Sequence, residues 1–329
     1  MPDRPAQHPR RLRANPAIRD MLVETHLTRD QLIAPLFVCA EDGTRAEVRS
    51  MPGQFRLGVP EAMETLRRWV DAGLRSVLLF GVPGSKDARG SAAWDENEAV
   101  QRLSREIRRN LPAVNVFTDT CLCEYTDHGH CGPLVTLPDG SVTVDNEAAL
   151  EGLAKTAVSQ ARAGAQFVAP SAMMDGQVAA IRSALDAEGF DQTGILSYAV
   201  KFASSLYGPF RDAAGSAPSC GDRRSYQMDY RSPRQASMEA RLDEAEGADM
   251  LMVKPAAAYL DVIAQVRRQS DLPLAAYHVS GEYAMIKAAA ANGWLDERDA
   301  ALEVTLAIRR AGADAVITYF AEQLAEWLQ

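Results

Sequence analysis

The 329-residue chain has no apolar run approaching the ~20 residues that a membrane-spanning helix requires, so no helical membrane protein is expected. It also lacks an excess of basic charge. Thirty-five Lys and Arg stand against 44 Asp and Glu, for a net charge of −9 at pH 7, which argues against a general nucleic-acid partner. Cysteine is scarce and odd in number, five in all, and three of the five are clustered; that fits metal binding better than a disulfide framework. A Gly-rich phosphate loop is missing: no G-x-G-x-x-G follows the first apolar run, which weakens a dinucleotide-binding reading. The N-terminal stretch "MPDRPAQHPRRLRANPAIRD" is basic and Pro-rich without an apolar core, so it does not read as a secretory signal, and the cytoplasm is the expected compartment.

What is present is a repeating alternation. Short runs rich in β-branched and aromatic residues read as buried strands: "LIAPLFVC" (32–39), "SVLLFG" (76–81), "NVFTDT" (115–120), "QFVAPS" (166–171), "GILSYAV" (194–200), "MLMVKP" (250–255), "PLAAYHVS" (273–280) and "AVITYF" (315–320). Amphipathic helical patterns lie between them. Three of these helices end in similar tags, "VDAGLRS", "ARAGAQF" and "RRAGADA", each with a glycine where a left-handed C′ residue is wanted and a strand directly after. Eight strands alternating with helices imply a parallel sheet, and a closed (β/α)8 TIM barrel is the natural solution; a doubly wound open sheet is the alternative. Residues 1–30 precede the first strand and read as an arm that packs on another subunit. Residues 31–329 read as the barrel.

In such a barrel the C-terminal strand ends carry the chemistry. The fifth strand runs into Lys201 and the sixth into Lys254. A lysine after an apolar run is either paired in a salt bridge or loses its proton easily, because burial penalises the ammonium. Two at adjacent strand ends would lower each other's pKa and point to Schiff-base chemistry. Asp119, Ser171, Ser280 and Tyr319 are polar groups at other strand ends, although Tyr319 equally fits a core tyrosine. The thirty residues "SSLYGPFRDAAGSAPSCGDRRSYQMDYRSP" read as a long loop after Lys201, an active-site lid whose Arg211, Arg223 and Arg224 could hold a carboxylate.

Past the third strand, Cys121, Cys123 and Cys131 give C-x-C-x7-C. Three thiolates without an obvious fourth ligand suit a zinc site with an open position. His128 or His130 could be the fourth ligand, an acid–base group or a hydrogen-bond partner.

The stretches "DTCLCEYTDHGHCG", "SYAVKFASSLYGPFRDAAGSAPSCGDRRSYQMD", "GADMLMVKPAAAYLD", "HVSGEYAMIKAAA" and "RAGADAVITYFA" closely resemble the δ-aminolevulinic acid dehydratase (porphobilinogen synthase) family, from about residue 10 to the C-terminus. The resemblance implies a (β/α)8 barrel with an N-terminal arm, assembled as a homo-octamer, that condenses two molecules of 5-aminolevulinate into porphobilinogen with release of two waters. It implies that Lys254 forms the Schiff base with the propionate-side substrate and that Lys201 holds the second. Arg211, Arg223 and Gln227 resemble the carboxylate ligands on the acetate side, Ser280 and Tyr319 those on the propionate side. Asp119, Ser171, Tyr198, Phe202 and Tyr207 match other pocket positions. The cysteine trio places the chain in the branch with a catalytic Zn2+, and Glu239 matches an interface site for an allosteric Mg2+, with Arg13 as a possible partner.

Some residues depart from the usual pattern. Glu124 and Asp127 stand where Pro and Ser are common in the zinc branch, Cys220 replaces a Phe in the lid, and "MDYRSP" lacks the Pro that usually follows Met-Asp. Two other readings remain: a class I Schiff-base aldolase, which needs one lysine and no metal, and a non-enzymatic zinc-binding protein, in which a lid and two strand-end lysines have no purpose.

Overall fold

The computed structural model describes residues 7–328. Eight strands, β1 (Leu32–Cys39), β2 (Ser76–Val82), β3 (Asn115–Thr120), β4 (Phe167–Pro170), β5 (Gly194–Lys201), β6 (Met250–Lys254), β7 (Leu274–His278) and β8 (Ala315–Thr318), pair in chain order and in parallel. β8 then pairs with β1, Leu32 opposite Val316 and Ile33 opposite Ile317, and the sheet closes on itself. A closed sheet leaves no edge for a doubly wound arrangement, so the chain is a (β/α)8 barrel.

The strands are mostly apolar because helices cover one face and barrel side chains the other; all eight residues of β1 are buried. The connecting helices are amphipathic. In Val59–Asp71 the buried apolar positions are Val59, Ala62, Met63, Leu66 and Trp69, on one face at steps of three and four. The three glycine tags fall where helices stop: Gly73, Gly164 and Gly312 have φ of 96°, 105° and 118°. Two short hairpins were not foreseen: Arg45–Glu47 with Phe55–Leu57, and Leu134–Thr136 with Val142–Val144. Their strands are three residues long, too short for a periodicity to show.

Phe37 lies among Phe80, Phe210 and Tyr319, with ring centroids 5.7, 5.6 and 6.2 Å away. This aromatic cluster joins the barrel core to the base of the lid. Phe37→Ala is expected to cost about 3–5 kcal/mol, read as a lower urea midpoint with an unchanged slope.

The expected lid is not a bare loop. It contains a helix, Gly208–Ala214, preceded by a 3-10 turn, Ser205–Tyr207. Pro209 sits in the first turn, Gly215 (φ 57°) ends the helix, and Phe210, Ala213 and Ala214 are buried at helical spacing. The far end of the lid is tied to the strand it leaves, since Met228 N donates to Lys201 O at 3.1 Å. The first six residues of the expected arm lie outside the described residues. The remainder forms a 3-10 turn, Pro9–Arg13, and a helix, Pro16–Met21, with no buried residue in either. Leu12, Met21, Leu22 and Val23 are exposed there.

Candidate active site

The two lysines meet through a register change. Met250 and Leu251 of β6 stand opposite Leu196 and Ser197 of β5, but Val253 and Lys254 stand opposite Val200 and Lys201. β5 therefore carries one extra residue, a β-bulge. Without it Lys254 would face Val200, and Lys201 would point to the other side of the sheet. The bulge places both lysines side by side on one face at the barrel mouth.

Both are buried. Lys201 Nζ donates to Ser171 O at 2.5 Å. Lys254 Nζ is enclosed by rings: Tyr277 at 4.3 Å from the centroid, Tyr198 at 5.0 Å, and Tyr207 and Phe210 at 5.2 Å. Burial, and then the charge of Lys201, lowers Lys254 to about 7, against the pull of Asp119. Such a lysine has a large neutral-amine fraction at physiological pH. Asp119, at the end of β3, accepts from Ser171 Oγ at 3.2 Å and is pushed up to about 8 by burial and by Glu124, against the attraction of Lys201. Its Oδ1 is buried without a partner.

Tyr207 Oη donates to the carbonyls of Phe202 and Lys254, at 2.8 and 3.1 Å, and so fixes the backbone that presents Lys254. Phe202 stacks on Tyr259 (4.9 Å). Ser280 Oγ accepts from Phe210 N at 3.0 Å and donates to Leu206 O at 3.2 Å, binding the lid base to the end of β7. Tyr319 Oη meets Tyr277 Oη at 3.0 Å and so lies one ring behind the ring nearest Lys254. Tyr277 and Phe210 were not singled out in the sequence. A tyrosine near the end of an apolar strand was the available signal for Tyr277.

The cysteine loop closes the other side. Cys121, Cys123 and Cys131 are buried, and their Sγ atoms lie within 4.8 Å of one another. Hydrogen bonds from Cys121 and Cys123, with help from Arg223, hold Cys131 well below the usual thiol range, while burial and the neighbouring sulfurs push Cys121 well above it. Three buried sulfurs this close, one favoured as thiolate, are a donor set that a soft divalent cation completes. Glu124 is buried beside them, 3.2 Å from Cys123 Sγ, and pushed up to about 8 by burial and then by Cys123. Neither histidine belongs to the cluster. His128 is bonded to Ala88 O and His130 N, and His130 to Tyr226 Oη and Cys220 O.

Among the lid arginines, Arg223 is buried and Arg211 half-buried, and each has an Nε without a partner. Gln227 is buried with both amide atoms unpaired. Buried donors left open in this way are sites for a ligand's oxygens. Arg224 is exposed and pairs with Asp222. Arg211 and Arg223 line both the lysine pocket and an outer cavity of about 700 Å³ that Gln227 and Arg224 also line. The lysine pocket itself is nearly closed, with about 10 Å³ free.

Glu239 lies elsewhere, on the helix Pro233–Ala245, in a cavity of about 360 Å³ that also holds Asp175, Asp229 and Asp243. Burial and then Asp175 and Glu246 raise its carboxyl, and burial raises Asp243 to about 7.

The sequence model of a family described as delta-aminolevulinic acid dehydratase matches residues 6–327. The chain belongs to this family. Its full-length relatives carry the same name: the Escherichia coli protein is 52% identical, with 97% of each chain covered, and the Synechococcus elongatus protein is 50% identical over 98% of this chain and 99% of its own. A solved structure of the Toxoplasma gondii delta-aminolevulinic acid dehydratase (porphobilinogen synthase), in complex with the reaction product porphobilinogen, superposes with a TM-score of 0.95 at 42% identity, covering 99% of this chain and 92% of that one. Family membership makes the chain a lyase with the barrel described above, and excludes the aldolase and the non-enzymatic readings. No helix among the described residues is long and apolar enough to cross a membrane.

Proposed function

We propose that the chain condenses two molecules of 5-aminolevulinate into one porphobilinogen with loss of two waters, using Lys254 and Lys201 as Schiff-base residues. The observation that carries the assignment of roles is the pairing of the two lysines across the β5–β6 bulge, with Lys254 brought to about 7. A neutral amine is the nucleophile that a ketone requires, and the expelled hydroxyl leaves as water. Lys254 takes the propionate-side molecule and Lys201 the acetate-side molecule. Asp119 and Ser171, joined by a hydrogen bond, lie where a proton must move between them. Arg211, Arg223 and Gln227 hold the acetate-side carboxylate through their unpaired groups. Ser280 and Tyr319 hold the other carboxylate; this requires Ser280 to release the lid base it binds in the closed molecule. Tyr198, Tyr207 and Phe202 shape the pocket and exclude water.

Cys121, Cys123 and Cys131 are the ligands of Zn2+, favoured over harder cations by three sulfur donors. Zinc held by these sulfurs would supply Lewis-acid chemistry toward the second substrate. Glu239, with Asp175 beside it, is an activating site for hydrated Mg2+; a carboxyl raised by burial and then by Asp175 and Glu246, in a cavity that also holds Asp229 and Asp243, is the supporting ground. The arm, residues 1–30, is an oligomerisation element in a cytoplasmic homo-octamer, supported by the exposed Leu12, Met21, Leu22 and Val23.

The test is reductive trapping. Borohydride added with 5-aminolevulinate should label Lys254 and, at higher substrate, Lys201, and untreated enzyme should release porphobilinogen. Product formation without a label on either lysine would refute the assigned roles.

A further inference from the structure

The histidines of the cysteine loop remain to be explained, and so does the glycine between them. We propose that His128, Gly129 and His130 form the latch on which the lid closes, with His130 as its positioning residue, and that metal at the adjacent cysteines is thereby transmitted to lid closure.

Each of the three residues holds the lid or the loop beneath it. Ser219 N donates to His128 O at 2.9 Å. Arg223 Nη2 donates to Gly129 O at 2.7 Å and to Ser216 O at 2.6 Å. His130 bonds the lid twice, at 2.8 Å to Cys220 O and at 3.0 Å to Tyr226 Oη. A carbonyl only accepts, so Nε2 carries the proton, and Nδ1 accepts from the tyrosine hydroxyl. His128 makes the same choice, donating from Nε2 to Ala88 O (3.2 Å) and accepting His130 N at Nδ1 (3.2 Å). All four ring nitrogens are thus engaged, and none is left for a metal.

Gly129 has φ of 73°, and a Cβ there would come within 2.4 Å of Ala217 O, so lid and loop meet backbone to backbone. Cys131 follows His130 directly in the chain. A metal that ties Cys131 to Cys121 and Cys123 fixes the far end of the latch; without it, the loop loses that cross-link. The latch also fixes Arg223, because one bond to Gly129 O of the latch and one to Ser216 O of the lid occupy Nη2, while the buried Nε of this pocket-lining residue keeps no partner.

The proposal rests on the metal reading above and is read by an observable that does not need turnover. Hydrogen exchange of residues 216–226 is followed in the full-length reduced protein, zinc-loaded and zinc-stripped, for wild type, His130→Ala, His130→Gln and Tyr226→Phe. Zinc should slow exchange of this segment in the wild type. His130→Ala should exchange like the stripped protein even when loaded, with zinc affinity in chelator competition within about twofold of wild type. Its KM for 5-aminolevulinate should rise roughly tenfold, the effect of about one lost hydrogen bond, with a smaller change in kcat. His130→Gln, whose amide can donate from the place of Nε2, should recover protection. Should His130→Ala lose zinc, Tyr226→Phe carries the test from the lid side; because its hydroxyl also reaches Cys131, its zinc affinity is measured in the same chelator competition and exchange is compared at full zinc loading. Exchange indifferent to zinc in the wild type, or full protection and unchanged KM in both His130→Ala and Tyr226→Phe, would overturn the latch. A wild type that forms no porphobilinogen but shows zinc-dependent protection would sink the functional reading and leave the latch standing.

Discussion

Lys254→Arg should abolish porphobilinogen formation, to below about one part in 10⁴, a loss of about 5.5 kcal/mol of transition-state stabilisation. The substitution keeps length and charge. It removes the only thing the mechanism requires, since a guanidinium stays protonated and forms no imine. Burial and Lys201 hold Lys254 at about 7, so the protonated, unreactive form dominates below that pH. The kcat/KM of the wild type should therefore rise with pH through about 7. The same burial acts on stability with a defined sign. In the unfolded chain a lysine titrates near ~10.4, so between about 7 and ~10.4 the unfolded state binds the extra proton. The cost of burying Lys254 is fully present below about pH 7 and is relieved as pH rises toward ~10.4. Lys254→Met should then be inactive yet more stable than wild type at pH 7, with the gap closing by pH 10, as read from urea midpoints at both pH values. An active Lys254→Arg enzyme would contradict the imine route.

The barrel was legible because its signals are local. Each of the eight apolar runs lies within one or two residues of an observed strand, and β1 and β3 coincide with theirs. Buried strands are apolar on both faces, and helix ends need a left-handed residue, so strands and stops are written in adjacent letters. The lid helix was written there too, as Pro209, the pair Ala213–Ala214 at helical spacing from Phe210, and Gly215, but the surrounding Gly, Ser and Pro drew it toward loop. The two hairpins were lost because three-residue strands carry too little pattern.

The site was legible in kind and not in arrangement. Lys201 and Lys254 stood out because charge after an apolar run is costly. What puts them on one face is the bulge in β5, whose sequence, "SYAVK", gives no sign of the extra residue. Tyr277 escaped for a related reason: a tyrosine in a strand is usually core, and only the closed barrel shows its ring 4.3 Å from Lys254 Nζ. The histidines were read as a fourth ligand, as acid–base groups or as hydrogen-bond partners because they neighbour the cysteines in sequence, and the structure shows the last of these. Their partners, Ala88, Cys220 and Tyr226, are about forty to ninety-six residues away, and such hydrogen bonds leave no local trace.

Removing zinc from the reduced protein should abolish turnover, zinc alone should restore it, and magnesium alone should not. The argument begins with the charges. Three buried sulfurs within 4.8 Å cannot all be thiolates without a cation, and in the metal-free arrangement Cys121 is pushed up while Cys131 is held down. Arg223 is the protein cation that most favours the Cys131 thiolate, and the sulfurs in turn hold its charge although burial opposes it. A metal that takes over the sulfur charge frees Arg223 for a substrate carboxylate, so occupancy of the trio and binding of the second molecule support each other. Cys121→Ser, which replaces a soft donor by a hard one, should weaken zinc by more than about 100-fold in chelator competition. It should also raise KM for 5-aminolevulinate, while borohydride still labels Lys254, whose ring-lined pocket does not include that sulfur. Glu239→Gln should leave zinc-only activity in place and remove any further stimulation by magnesium, because its acidic cavity is separate from the lysine pocket. Full activity of the stripped protein would make the trio structural and would return the acid–base work to Asp119 and Ser171 alone.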